Sequence, residues 1–347
     1  MTYTYEQLKQ CAMEILTACG ESPQNAEIGA EAMVAADMRG ITTHGTYLLI
    51  PIFKRVKAGQ LNLPTKLKVI MDDVAVAKID GGDGLGAVAG RRAADIAIKK
   101  AKNLGIGLVL IRNTNNIGTL AWYTEYIAKQ GMIAVMSCNA APAMAPWGGA
   151  EQFLGTNPIA VAIYTGTDVV FSADMATSIV ARGKIRKAAR NGESIPSDWA
   201  VDEEGNFTTD PGSALKGALL PMGGPKGSAL AFAVDIVSGM LSGAKYAPHI
   251  KSFHKPEGQT GVGASIIALD IEHFMSIKDF GEKMQEYITK VKSLKKAKGF
   301  NSIYLPGEIE YGKELDSKNN GISLDENTVM AINNILSDIK SSIRLSQ

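Results

Sequence analysis

The sequence predicts a mixed α/β fold. Helical periodicity gathers at both ends of the 347-residue chain, alternating or continuous apolar runs fill the middle, and glycine-rich turns separate them. Thr4 precedes Tyr5-Glu6-Gln7, and apolar residues recur at Leu8, Ala12, Ile15 and Leu16, which predicts a capped amphipathic helix. A second helix is expected from Asn25 to Asp37 and a third from Leu48 to Val56, ended by Gly59 and Pro64. From Lys66 the period changes. Leu67-Val69-Met71 and Val74-Val76-Lys78-Asp80 alternate as strands, and a helix to Asn103 follows Gly84-Leu85-Gly86. Strands are expected at Gly105 to Ile111, Met132 to Ser137, Ile159 to Ile163, Val169 to Asp174 and Ser265 to Asp270. Further helices are expected at Ala121 to Lys129, Gly227 to Gly243, Ile277 to Leu294 and Asp325 to Ile343.

Composition narrows the function. A hydrophobic content of 46% with 20% charged residues describes a globular chain with a large core. The net charge of +1 offers no electrostatic reason to expect a nucleic acid or an anionic membrane as partner. The basic run Lys290 to Lys298 reads as a solvated helix end. Cys11, Cys19 and Cys138 are odd in number and lack metal-ligand spacing, which points to a reducing cytoplasm and no metal site. The polar start argues against a signal peptide, and no 18-residue apolar run is present to span a membrane.

The residues that can carry chemistry lie in turns. Arg39-Gly40-Ile41-Thr42-Thr43-His44-Gly45 follows the second helix and sets one of only four histidines beside two hydroxyls. An imidazole titrates near neutral pH, as proton transfer there requires. A lone His-Gly pair is more often structural, so this turn needs company. Gly84-Leu85-Gly86-Ala87-Val88-Ala89 matches a dinucleotide fingerprint, but the next strand ends Ile111-Arg112-Asn113, without the acidic residue that would hold a ribose. Three more blocks combine glycine with polar residues: Gly155-Thr156-Asn157-Pro158, then Asp174-Met175-Ala176-Thr177-Ser178 with Arg182-Gly183-Lys184, then Gly223-Gly224-Pro225-Lys226-Gly227-Ser228. The last opens a helix with free amides and a lysine, a natural anion site. Together they suggest a phosphate-bearing ligand.

These blocks, in this order, resemble the non-Rossmann malate/L-lactate dehydrogenase family, as do Ile195-Pro196-x-x-Trp199-Ala200-x-Asp202 and Leu305-Pro306-Gly307-Glu308. The resemblance spans nearly the whole chain. It implies an NAD- or NADP-dependent oxidoreductase acting on small 2-hydroxy, 2-oxo or cyclic imino acids, with a cofactor fold of its own and a homodimeric assembly. It makes Gly84-x-Gly86 a structural turn. It implies two units, residues 1–120 with 295–347 for substrate and dimerisation, and 121–294 for the cofactor. The cofactor would lie against Asn139, Ala140, Thr156, Asn157, Asp174, Met175, Ala176, Lys184, Lys226, Gly227, Pro306, Gly307 and Glu308. His44 would move the proton, oriented by Thr43 and Asp174.

The chain also departs from the family. Asn116 stands where many relatives carry a second histidine, and it can hydrogen-bond a substrate but cannot transfer a proton. Leu48 and Ile52 stand where many carry an arginine and a tyrosine, so a carboxylate clamp is missing. Ser228 replaces a frequent tyrosine. Two readings follow: an enzyme with an unusual substrate, gripped elsewhere by Arg112 or Arg182, or a nucleotide-binding homologue that has lost its chemistry. Retention of His44, Asp174 and the cofactor blocks favours the first.

Overall fold

The structure, a computed structural model, describes residues 2–345. In the first half the order is α1 (Tyr5–Ala18), α2 (Pro23–Met38), a 3-10 turn (Thr42–His44), α3 (Leu49–Lys57), β1 (Lys68–Asp72), β2 (Val76–Asp80), α4 (Gly86–Leu104), β3 (Ile106–Thr114), α5 (Ala121–Ala128) and β4 (Met132–Cys138). Then come β5 (Ile159–Ile163), β6 (Phe171–Met175), α6 (Arg182–Asn191), α7 (Pro211–Lys216) and α8 (Pro225–Val234). The chain closes with β7 (Val262–Asp270), α9 (Ile277–Ser293), α10 (Glu308–Asn320) and α11 (Glu326–Asp338).

One seven-stranded sheet organises these elements in the order β1-β2-β3-β7-β4-β5-β6. Only β2 and β3 run parallel, joined by α4 as a right-sized crossover; the other neighbours are antiparallel. β7 is covered on both faces, so its residues are almost continuously buried rather than alternating. α4 lies on the sheet through a row of small residues, Ala93, Ala94, Ala97 and Ala101, which lets helix and strands approach closely.

The two chain ends share a second core. Leu8, Ile15 and Leu16 of α1, Val34 of α2 and Leu49 of α3 pack with Ile332 and Leu336 of α11. Thr2–Tyr3 pairs antiparallel with Ile322–Ser323 to close this layer. A third cluster lies between residues 143 and 247. The seam expected at residue 120 runs through the sheet itself, because β3 before it is hydrogen-bonded to β7 after it. Backbone pairing makes the strands on both sides one layer.

Helix ends follow side-chain chemistry. Thr4 and Gln7 form a reciprocal capping box at α1. The expected helix from Asp325 ends at Asp338, well short of Ile343, where Lys340 turns to a φ of 57°. The expected helix from Gly227 begins two residues earlier at Pro225 and loosens into a π-helical stretch over Asp235–Leu241. α10 had no counterpart in the pattern. It buries no residue, so no apolar stripe announces it.

Candidate active site

The turn that carries His44 is held from both sides. α2 ends in Arg39, whose guanidinium forks onto both oxygens of Glu125 in α5, at 2.5 and 2.7 Å, and reaches Glu314 in α10 at 2.8 Å. Behind the turn, Asp37 accepts from the Thr46 amide at 2.8 Å and the Thr46 hydroxyl at 2.7 Å. A Cβ at Gly45 would fall 1.7 Å from the Asp37 carboxylate, so only glycine lets that clamp form. Burial pushes Asp37 up to about 6. On the turn, Thr43 Oγ1 lies 3.0 Å from His44 Nδ1. Burial also drives the half-buried His44 down to about 4, and the charge of His254 adds to the shift.

His44 lines a pocket of about 430 Å³, counted out to its mouth, with Asn116, Leu48, Ile52, Met33 and Phe253 among the walls. The structure therefore brings together His44, Asn116 and the two departed positions. Asn116 is set by close packing. A Cβ at Gly86 would lie 2.2 Å from the Asn116 carbonyl, so the glycine fingerprint serves the approach of α4 to this loop. Asn116 Oδ1 accepts from the Gly118 amide at 2.9 Å. The Leu85 amide donates to Thr65 Oγ1, which closes the fingerprint turn onto protein atoms.

The expected pairing of Asp174 with His44 is absent; the carboxylate accepts instead from the Ala121 amide at 2.9 Å and from the Leu120 amide. The reason is competition: the first amides of α5 lack partners within the helix, and its positive end attracts a carboxylate. Crowding by protein atoms pushes Asp174 up to about 6 although it keeps some open surface; nearby Glu125 reinforces the shift and Arg39 opposes it.

The blocks expected at the cofactor are tied to one another by backbone bonds. The Thr177 amide and hydroxyl both donate to the Thr156 carbonyl, and the Met222 amide donates to the Thr177 carbonyl just before α8. The Ser172 amide donates to the Pro306 carbonyl, which brings Pro306-Gly307-Glu308 against β6; Gly307 turns there with a φ of 91°. Met175 and Lys226 are exposed, Lys184 is exposed on α6, and Ala176 is half-buried. Gly227 is buried in the first turn of α8, which no side chain caps.

Several expected ligands are occupied inside the protein. Asn139 donates to Asp235 and to the Lys245 carbonyl, and accepts from the Gly263 amide. Asn157 accepts from the Ala140 amide and donates to the Ala231 carbonyl. Both side chains lock loops, because a buried amide must satisfy its own donors and acceptor. Glu308 pairs with Lys292 and accepts from the Leu305 amide. The substitute anchors are likewise engaged: Arg112 with Asp80, and Arg182 with Gln152 and the Leu215 carbonyl.

The structure adds groups the pattern did not single out. His254 lies beside Tyr47, with ring centroids 6.2 Å apart and the planes tilted by 43°, and its charge reaches His44. The N-terminus of α6 abuts the turn, since a Cβ at Gly183 would meet the Thr43 methyl at 3.5 Å. Among the described residues, no cluster of His, Cys, Asp or Glu is placed to hold a metal ion, and no helix is long and apolar enough to cross a membrane.

Comparison with known proteins agrees with this architecture. The family model described as malate/L-lactate dehydrogenase matches residues 3–333. The chain is 39% identical to the L-sulfolactate dehydrogenase of Methanocaldococcus jannaschii, over 97% of each chain. It is 30% identical to the NAD(+) ureidoglycolate dehydrogenase of Escherichia coli (strain K12), over 93% of each. The solved structure of the Methanocaldococcus jannaschii sulfolactate dehydrogenase superimposes with a TM-score of 0.94, covering 99% of this chain and 98% of that one. The chain belongs to the malate/L-lactate dehydrogenase family and is an NAD(P)-dependent oxidoreductase acting on CH–OH donors.

Proposed function

We propose that this protein interconverts a small 2-hydroxy acid and its 2-oxo acid with NAD or NADP, and that His44 gives or takes the proton. The observation that carries this reading is the meeting of His44 and Asn116 on one pocket. With Nδ1–H donating to the Thr43 hydroxyl 3.0 Å away, the neutral ring keeps a free lone pair on Nε2 to take a proton, and the imidazolium has an Nε2 proton to give. Asn116 has its oxygen engaged by the Gly118 amide, so its Nδ2 hydrogens are the free donors for a substrate oxygen. His44 then protonates that oxygen in reduction and accepts from it in oxidation.

The residues present fit a dinucleotide. The uncapped first turn of α8, with exposed Lys226 and with Gly227 buried within it, offers an amide and an ammonium to a phosphate. Met175 and Ala176 run into the Thr177 link that joins Thr156 to Met222 before α8, and Pro306 and Gly307 are tied to the same strand through Ser172, which supports their use by the cofactor. Asp174, fixed by the α5 amides, keeps acceptor capacity for a ribose hydroxyl. The Ala140 amide is taken by Asn157 and Lys184 is exposed on α6, whereas Asn139, Asn157 and Glu308 shape the loops. When bound, the nicotinamide supplies the hydride.

The same reading includes a second copy. Leu230, Phe232, Ile236, Val237, Met240 and Leu241 are exposed along α8 and its π continuation, a face suited to burial in a homodimer. The three free thiols suit a reducing cytoplasm. Fluorescence titration with NADH and NADPH tests the cofactor, and binding of neither refutes the proposal. His44→Ala is expected to lose about 10²–10⁴-fold in turnover with cofactor binding retained; full turnover in that variant removes His44 from the mechanism.

A further inference from the structure

We propose that the acid handled here carries a short apolar side chain and no second anionic group, with that side chain seated among Leu48, Ile52, Met33 and Phe253. This rests on the reading of the His44 pocket given above. Leu48 and Ile52 stand four residues apart at the start of α3, each only 5% exposed, and both face the pocket. Met33 approaches from α2, Phe253 from the loop before β7, and Leu61 and Leu85 complete the apolar wall. The polar lining is confined to His44, Asn115 and Asn116. Of these, Asn115 already donates to the Asp83 and Gly84 carbonyls and accepts from Thr260. Among the described residues no charged side chain lines the space.

The nearest cation on α3 is committed elsewhere. Arg55 is fully buried and donates to the carbonyls of Ser252, Lys255 and Gly258, and its guanidinium lies 5.5 Å from the Phe253 ring centroid. It therefore fixes the loop that forms the apolar wall. A carboxylate or sulfonate at the far end of a substrate would lose water in this pocket and gain no partner. An alkyl group loses nothing there.

The single carboxylate common to all such acids would be met by Arg186 of α6, whose charge reaches His254. Burial lowers both His44 and His254, reinforced at His44 by the charge of His254 and at His254 by that of Arg186. Arg186 is exposed and forms no ion pair among the described residues. This side offers positive charge; the pocket offers hydrocarbon.

The test compares 2-oxobutanoate and 2-oxo-4-methylpentanoate with oxaloacetate and 3-sulfopyruvate, each with NADH and with NADPH. The kcat/KM of the better aliphatic acid is expected to exceed that of either dianion by at least about tenfold, the scale on which apolar pockets discriminate. Equal or better use of a dianion overturns the proposal. Calorimetry of 2-hydroxy-4-methylpentanoate against malate, with and without cofactor, reads the pocket independently of turnover. Tighter malate overturns the proposal. Tighter binding of the apolar acid supports it even where no acid is turned over, a result that counts against the proposed reaction alone. Leu48→Arg is expected to raise the dianion-to-aliphatic ratio at least about tenfold, and Leu48→Ala, which keeps an apolar site, to move preference toward longer chains. An unchanged preference in the folded variants overturns the assignment.

Discussion

Reduction of an oxo acid should slow about tenfold for each pH unit above 5 if His44 supplies the proton. The ring is held near 4 by burial and by the charge of His254. About one-tenth of the molecules then carry the proton at pH 5 and about one-thousandth at pH 7, a hundredfold difference in kcat/KM for reduction. Oxidation uses the neutral ring, already dominant at pH 6, so its kcat/KM stays flat from there to pH 9. An unperturbed imidazole would instead bend both profiles near about 6.5. The assay is kcat/KM in both directions at saturating cofactor and constant ionic strength, for the native protein and His44→Gln, with NMR titration of the His44 ring alongside. A bend near neutrality, or the same profile in His44→Gln, refutes the assignment. Folding stability follows the same group. The folded pKa lies below the unfolded value, so its contribution is intact above about 6.5 and is lost as pH falls toward 4. His44→Gln should flatten that acid limb in urea unfolding.

Two further outcomes test the scaffold of the site. Arg39→Met leaves the Glu125 and Glu314 carboxylates facing each other, Glu125 with only 9% of its side chain exposed, at a cost of about 3–5 kcal/mol. With 347 residues the unfolding entropy is about 0.7 kcal/mol/K, so the melting temperature should fall about 4–7 °C by calorimetry; a fall under about 1 °C refutes the clamp. Gly86→Ala places a methyl 2.2 Å from the Asn116 carbonyl, where backbone must yield. It should destabilise by about 1–3 kcal/mol in urea unfolding and lower kcat with cofactor affinity retained; an unchanged kcat argues against a role for Asn116.

Local signals were legible where one segment decides its own state. The Thr4–Gln7 cap, the change of period at Lys66 and the run that became β7 depend on neighbouring residues, and the structure forms all three. The glycine fingerprint was readable as a turn before a helix, although its purpose, the approach to Asn116, was not. α10 escaped because no apolar stripe marks it. What places it is the Arg39–Glu314 pair, which joins residues 275 apart, together with the contact of Pro306 and Ser172.

By itself the sequence determined the kinds of chemistry present: an imidazole in a hydroxyl-bearing turn, glycine-rich loops for a dinucleotide, and hydrocarbon at positions 48 and 52. Tertiary structure decided which polar groups remain free to act. Asn139, Asn157, Arg112 and Arg182 looked available and are engaged, Asp174 answers the α5 amides rather than His44, and His254 enters from a distant loop. The physical reason is that every buried donor and acceptor must find a partner, and the partner that is nearest after folding is often far away along the chain.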